Sequence, residues 1–188
     1  MLRFVLPAQR ILDLDIENRP LAYMGEDYTS GEITAIAACW DGQPKTMRVW
    51  LLGRDKPRAM LEGFRKMYDA ADMVTGHYLR KHDLPIINGS MLEHGLPSLA
   101  EKLACDTKID LVKHLYLSAS QENLCEALGV PAVKVHMSNA KWREANRLTK
   151  KGLALTYARA AGDVIQHMAM RRVLIERELL YPPKVWRP

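Results

Sequence analysis

Cysteine is scarce in this sequence: Cys39, Cys105 and Cys125 lie far apart, are odd in number, and each sits in apolar company. That argues against a disulfide framework or a zinc site and for buried, reduced thiols, so a reducing cytoplasm is the expected location. Long hydrophobic runs are also missing. Charged residues break every apolar stretch, and no segment reads as a membrane span. Met1 to Arg10 carry one early arginine and a short apolar stretch, without the apolar core or small-residue cleavage site of a leader. They read instead as the lead-in to a first strand. Repeats and low-complexity tracts are absent as well. What is present is a chain of 188 residues, 48% of them apolar, enough for one domain with a sizeable core. The formal net charge of +5 is compatible with a polyanionic partner.

Arg10 to Asn18 alternates apolar and acidic residues at the period of a strand. Ile33 to Trp40 reads as a second strand, Asp41-Gly42 as a turn, and Thr46 to Leu52 as a third strand, giving an antiparallel meander. Pro57 to Ala71 repeats Met60, Leu61, Phe64 and Met67 at helical spacing. Asp72 to Gly76 is a short buried strand, Leu84 to His94 a helix stopped by Gly95, and Leu103 to Thr107 a fifth strand. Ser120 opens a helix stopped by Gly129, and Ser138 caps another running to Leu148. Gly152 to about Leu180 reads as one long helix interrupted or strained near Gly162. The order is β-β-β-α-β-α-β followed by helices, a mixed α/β architecture. Residues 1–180 form a single domain on this reading, and residues 181–188 a proline-rich basic tail.

The chemistry lies in the acids. Asp15 and Glu17 are two residues apart on the first strand, so they share a face, while Leu14 and Ile16 point the other way. Two carboxylates side by side on a buried strand repel unless they are protonated or a cation lies between them. Oxygen donors suit Mg2+ or Mn2+. A lone Asp-x-Glu is common, however, and solvated acids at a strand end would read the same. Asp13 shares that face and reads as a supporting or solvated acid. Asp83 follows a strand and loop and can open a helix, where backbone N–H groups favour an anion. Asp163 sits on an otherwise apolar helix face and needs a partner or a metal. An acidic centre in a basic protein suggests metal ions surrounded by phosphates.

Together these groups resemble the DEDD (DnaQ-like) 3′–5′ exonucleases of the ribonuclease H-like superfamily. DIEN (Asp15 to Asn18) is similar to the family's first motif, GHYLRKHDLPIIN (Gly76 to Asn88) to its second, and YARAAGDVIQH (Tyr157 to His167) to its third. CDTKIDLVKHL (Cys105 to Leu115) and QENLCEALGV (Gln121 to Val130) resemble the connecting elements. The resemblance implies a mixed five-stranded sheet with an antiparallel three-strand start, flanked by helices. It implies two divalent ions, Mg2+ or Mn2+, held by Asp15, Glu17, Asp83 and Asp163, and two-metal hydrolysis at single-stranded 3′ ends, DNA before RNA, releasing nucleoside 5′-monophosphates. A polymerase or another replication or repair protein is the implied protein partner, and no membrane is involved.

Departures from the family pattern mark the substrate side. Tyr78 stands where the family has Asn, and His82 where it has Phe. Family members place Tyr four residues, or His five, before the last Asp; here those positions hold Arg159 and Ala158. Tyr157 is six residues ahead, on another face of an unbroken helix. A bulge at Gly162, or a helix starting after Tyr157, would bring its hydroxyl to the attacking water. Otherwise Arg159 contacts the phosphate, or the metal alone activates the water. His77, Tyr78, Arg80, Lys81 and Arg159 are the candidate substrate contacts. Lys134, His136, Lys141 and Arg143 are further phosphate candidates, and Tyr116 and Trp142 candidates for base stacking. A structure-selective endonuclease of the same fold, or a catalytically silent nucleic-acid-binding or polymerase-associated module, are the competing readings.

Overall fold

Strand β1, Ile11–Pro20, is the centre of the molecule, and its alternation decides what lies on either side. Strand β2 (Gly31–Trp40) runs antiparallel beside it and β3 (Arg48–Leu51) antiparallel beside β2, as the meander requires. Strand β4 (Met73–Gly76) pairs parallel on the other edge of β1, and β5 (Lys102–Asp106) parallel to β4. The computed structural model describes residues 9–20, 31–112, 116, 118–131, 133 and 135–188. Residues 1–8 of the expected lead-in, Lys113 to Leu115 and Lys134 lie outside the described residues.

The sheet order is β3-β2-β1-β4-β5-β6. The sixth strand was not expected. β6 (Lys184–Trp186) falls within the segment read as a tail and pairs antiparallel with β5, Lys102 opposite Trp186. Pro182 and Pro183 precede the strand rather than interrupt it, which an edge strand tolerates. Trp186 is buried in the main core.

Each face of the sheet has its own cover. Leu12, Leu14, Ile36 and Val74 pack with helix α1 (Pro57–Asp69) and helix α2 (Asp83–Glu93) through Met60, Phe64, Leu84 and Ile87. The opposite face presents Ala35, Ala37 and Cys39, small residues that let a helix approach closely. Helix α5 (Lys150–Glu176) lies there, inserting Ala160, Val164 and Met168. It follows α3 (Gln121–Leu128) and α4 (Asn139–Asn146), capped as expected by Ser120 and Ser138. The expected interruption near Gly162 is not found: α5 is continuous, and Gly162 is buried within it.

Candidate metal centre and cleft

Pairing across the sheet fixes where the acids of β1 point. Asp13 is opposite Cys39, Asp15 opposite Ala37 and Glu17 opposite Ala35, so all three acids face α5. Four residues of helix advance about 6 Å and two residues of strand about 6.8 Å, so the two elements keep step. Arg159, Asp163, His167 and Arg171 recur every fourth residue of α5 and form a polar stripe opposite that acidic row. A register shift between Glu17 and Asn18 ends the row, and Thr34 donates to the Glu17 carbonyl at 3.1 Å.

The two ends of this row differ in chemistry. Asp13 is fully buried and well partnered: His167 Nδ1 lies 2.9 Å and the Arg171 guanidinium Nη2 3.0 Å from its oxygens. Arg171 also reaches Asp41 at 2.7 Å. Of the two readings its position allowed, a supporting or a solvated acid, burial and these partners exclude the solvated one. Asp15 and Glu17 lie toward the open end. One oxygen each from Asp15, Glu17 and Asp163 fall within 4.8 Å of one another, a set that can hold a metal ion.

Asp83 reaches the same cleft from the other side. Gly76 ends β4 so close to β1 that a Cβ would stand 2.9 Å from the Leu14 carbonyl oxygen. The loop after it is pinned by Asp106, at the end of β5, which accepts from the backbone N–H groups of Tyr78, Arg80, Lys108 and Ile109 at 2.9–3.1 Å. Tyr78 takes a positive φ of 71° in this tight turn. The loop delivers Asp83 to the first turn of α2, where one of its oxygens meets His82 Nδ1 at 3.0 Å. Its other oxygen, Oδ2, is buried without a hydrogen-bond partner. A buried carboxylate oxygen with no donor is the feature a cation would satisfy.

The electrostatics agree. Burial, reinforced by Asp83, Glu17 and Asp163, holds the Asp15 carboxyl well above the usual range. Burial and then Asp163 push Glu17 up to about 7, against the opposing pull of Arg159. Burial also raises Asp83, although His82 works the other way. Such acids shed their protons readily only when positive charge arrives. His77 borders the cleft with Nδ1 3.0 Å from Thr107 Oγ1, which also meets His167 Nε2 at 3.1 Å. Burial, then His167, lowers the His77 imidazole to about 4, so it is neutral near pH 7.

The cleft, of about 340 Å3, is bordered by all four acids together with Tyr78, His82, Lys108, Gln121 and Arg159. One expected substrate contact is engaged elsewhere, and one expected catalytic group lies off the cleft. The Arg80 guanidinium lies 2.5 Å from Asp110 and 3.3 Å from the Ala104 carbonyl, fastening the loop to β5 rather than facing the cleft. Tyr157 does not border the cleft: α5 passes unbroken through it, six residues rotate about 240°, and the residue is 44% exposed. Lys81 and His136 are exposed, and Tyr116 is 97% exposed, away from the cleft lining. Arg159 lies among the acids, its Nε 2.7 Å from Asp163 and 3.3 Å from Glu17.

Among solved structures, the chain is similar to the family B DNA polymerase from the hyperthermophilic archaeon Pyrobaculum calidifontis, with a TM-score of 0.67 and 17% identity. It is also similar to Trypanosoma brucei RNase D, with a TM-score of 0.57 and 15% identity. The fold is ribonuclease H-like. The matches cover 90% and 89% of this chain but only 25% of the polymerase and 58% of RNase D, so it spans a fraction of either protein's length. No family model matches the sequence, and no curated protein does.

Within this ribonuclease H-like frame, Asp106, Thr107, Lys108 and Asp110 fall in the Cys105 to Leu115 motif and His167 in the third motif, where the sequence assigned them no role of their own, and Arg171 lies outside every motif. The four-residue stripe of α5 was the available signal for the last two. The roles of Asp106 and Asp110 carry no comparable signal, because both act on a loop 26 to 30 residues earlier in the chain.

Proposed function

We propose that this chain is a metal-dependent 3′–5′ exonuclease that hydrolyses phosphodiester bonds at single-stranded 3′ ends and releases nucleoside 5′-monophosphates. One observation carries the reading. Asp15, Glu17 and Asp163 converge within 4.8 Å in a cleft that also contains the unpartnered oxygen of Asp83. Four oxygen donors of this kind suit two ions of Mg2+ or Mn2+. Bound there, such ions would activate water and neutralise charge growing on a scissile phosphate. Among the chain's own groups, His82 orients Asp83, and the loop pinned by Asp106 sets its position. Lys108 and Arg159 supply positive charge beside the acids. Tyr157 lies outside the cleft lining, so its hydroxyl is given no part in holding the attacking water; activating that water is chemistry the metal would supply when bound. DNA is the substrate proposed first, with RNA as the paired comparison, and a polymerase or other replication or repair protein as the partner.

A second reading has its own support. Arg159 among the acids, and Tyr157 off the cleft, suit a module that binds nucleic acid without cutting it. Incubation of 5′-labelled single-stranded DNA and RNA with Mg2+, Mn2+ or chelator separates the two. We expect ladders that shorten from the 3′ end only with metal, and no cutting of a closed circle. Asp15→Asn should lower turnover about a thousandfold or more while the protein stays folded. Binding without any turnover at high enzyme concentration would establish the silent module instead, and cutting of the circle an endonuclease.

A further inference from the structure

Arg159 is placed unlike any other cation in the cleft. Its Nε bridges Asp163 and Glu17, two of the three acids that converge on a possible ion position. Its Nη1 is anchored outside that cluster, 3.2 Å from the Val135 carbonyl oxygen. The side chain is only 20% exposed, so these contacts are poorly screened by water. No ion pair joins Arg159 to Asp15 or Asp83 among the described residues. The acidic set is thereby divided. Glu17 and Asp163 already share a fixed positive charge in direct contact, whereas Asp15 has no such ion pair among the described residues and Asp83 has a bare oxygen. A guanidinium does not lose its proton in a protein, so it can make way only by moving.

We propose that the Arg159 guanidinium is a resident cation that competes with one divalent ion for Glu17 and Asp163, so that ions enter the cleft in two unequal steps. This rests on the metal-dependent reading above and concerns the cause of the inequality. An ion held through Asp15 and the bare oxygen of Asp83 would displace nothing. The second must break the Arg159 contacts and leave a charged side chain to find a new partner. Giving up one charge-assisted hydrogen bond corresponds to a weakening of about tenfold or more.

The test is direct Mn2+ binding to the metal-stripped full chain, by calorimetry and by the electron paramagnetic resonance signal of free Mn2+. In the wild type we expect one ion bound well and a second at least about tenfold more weakly. Arg159→Gln should tighten the weaker step by about tenfold, and Arg159→Lys, which keeps the charge, should preserve the gap. The Arg159 Nε–Hε resonance supplies a readout without substitution: it should shift with the second equivalent of metal and not with the first. Two equal steps in the wild type would overturn the proposal while leaving the nuclease reading intact. So would an unchanged weak step in Arg159→Gln, or a resonance that shifts with the first equivalent. No Mn2+ bound by any variant would overturn both.

Discussion

Asp13 and Glu17 stand on one face of one strand, yet their surroundings assign them opposite electrostatic roles. Asp13 has Arg171 and His167 within hydrogen-bonding distance, so its charge holds the interior together. Glu17 has one shared guanidinium and two acidic neighbours, and burial followed by Asp163 raises its carboxyl to about 7. The folded state therefore binds the Glu17 proton more tightly than the unfolded chain, whose value is near 4.5. The stabilisation is complete below about pH 4.5 and is lost as the pH rises through about 7. We expect metal-free Glu17→Gln to match the wild type at pH 4 and to exceed it in thermal stability at pH 8. The gain should be on the order of 1–3 kcal/mol. Mg2+ at pH 8 should raise the wild-type melting temperature and narrow that gap. A wild type as stable as Glu17→Gln at pH 8 without metal would contradict the assignment. The period-2 pattern revealed the shared face of these acids but not their partners, because Arg171 lies 158 positions from Asp13. A strand pattern carries orientation; the charge that arrives from another element is set by the tertiary fold.

At the scale of elements, the site depends on a helix and a strand keeping step, and α5 is held close enough to do so by small residues. Ala35, Ala37 and Cys39 line its bed on β2. Its first turn is fixed by another close approach: a Cβ on Gly152 would stand 2.2 Å from the Glu144 carbonyl oxygen of α4. Replacing glycine by alanine inside a helix ordinarily stabilises by about 1 kcal/mol. Here the obstructing atom is backbone, so α4 or α5 must shift, and the sign reverses. We expect Gly152→Ala to destabilise by about 1–3 kcal/mol, read as a lower melting temperature. A gain in stability would show that the two helices separate freely. Sequence patterning located α5 but assigned its irregularity to Gly162, which the helix accommodates, and passed over Gly152, where packing is restrictive. Helix propensity reports a glycine's cost to its own helix. It carries no information about the neighbouring carbonyl that makes a glycine necessary.

Across the whole molecule, the central strand β1 and its parallel neighbours β4 and β5 converge on one cleft. β1 contributes Asp15 and Glu17, β4 ends at Gly76 before the loop to Asp83, and β5 ends at Asp106, which pins that loop. Crevices beyond the carboxyl ends of parallel strands are where α/β sheets usually place their ligands. Much of this order was legible, since the meander, the crossover helices and the three acidic motifs each have a local pattern. β6 was not, because three residues after a proline pair offer too little alternation to distinguish a strand from a tail. Yet β6 closes the edge of β5, and Trp186 is a buried member of the main core. Truncating a buried aromatic typically costs 3–5 kcal/mol, and an edge position favours the lower end, so Trp186→Ala should cost about 3 kcal/mol. For a chain of this size that lowers the melting temperature by roughly 6–12 °C. β6 pairs Lys102 to Ala104, while the loop is pinned from Asp106, beyond the end of that pairing. The folded fraction of Trp186→Ala should therefore bind Mn2+ as the wild type does. Lost stability with unchanged metal affinity would place β6 in the frame and not in the site. Metal affinity that falls with it would mean that β5 transmits its edge to the cleft.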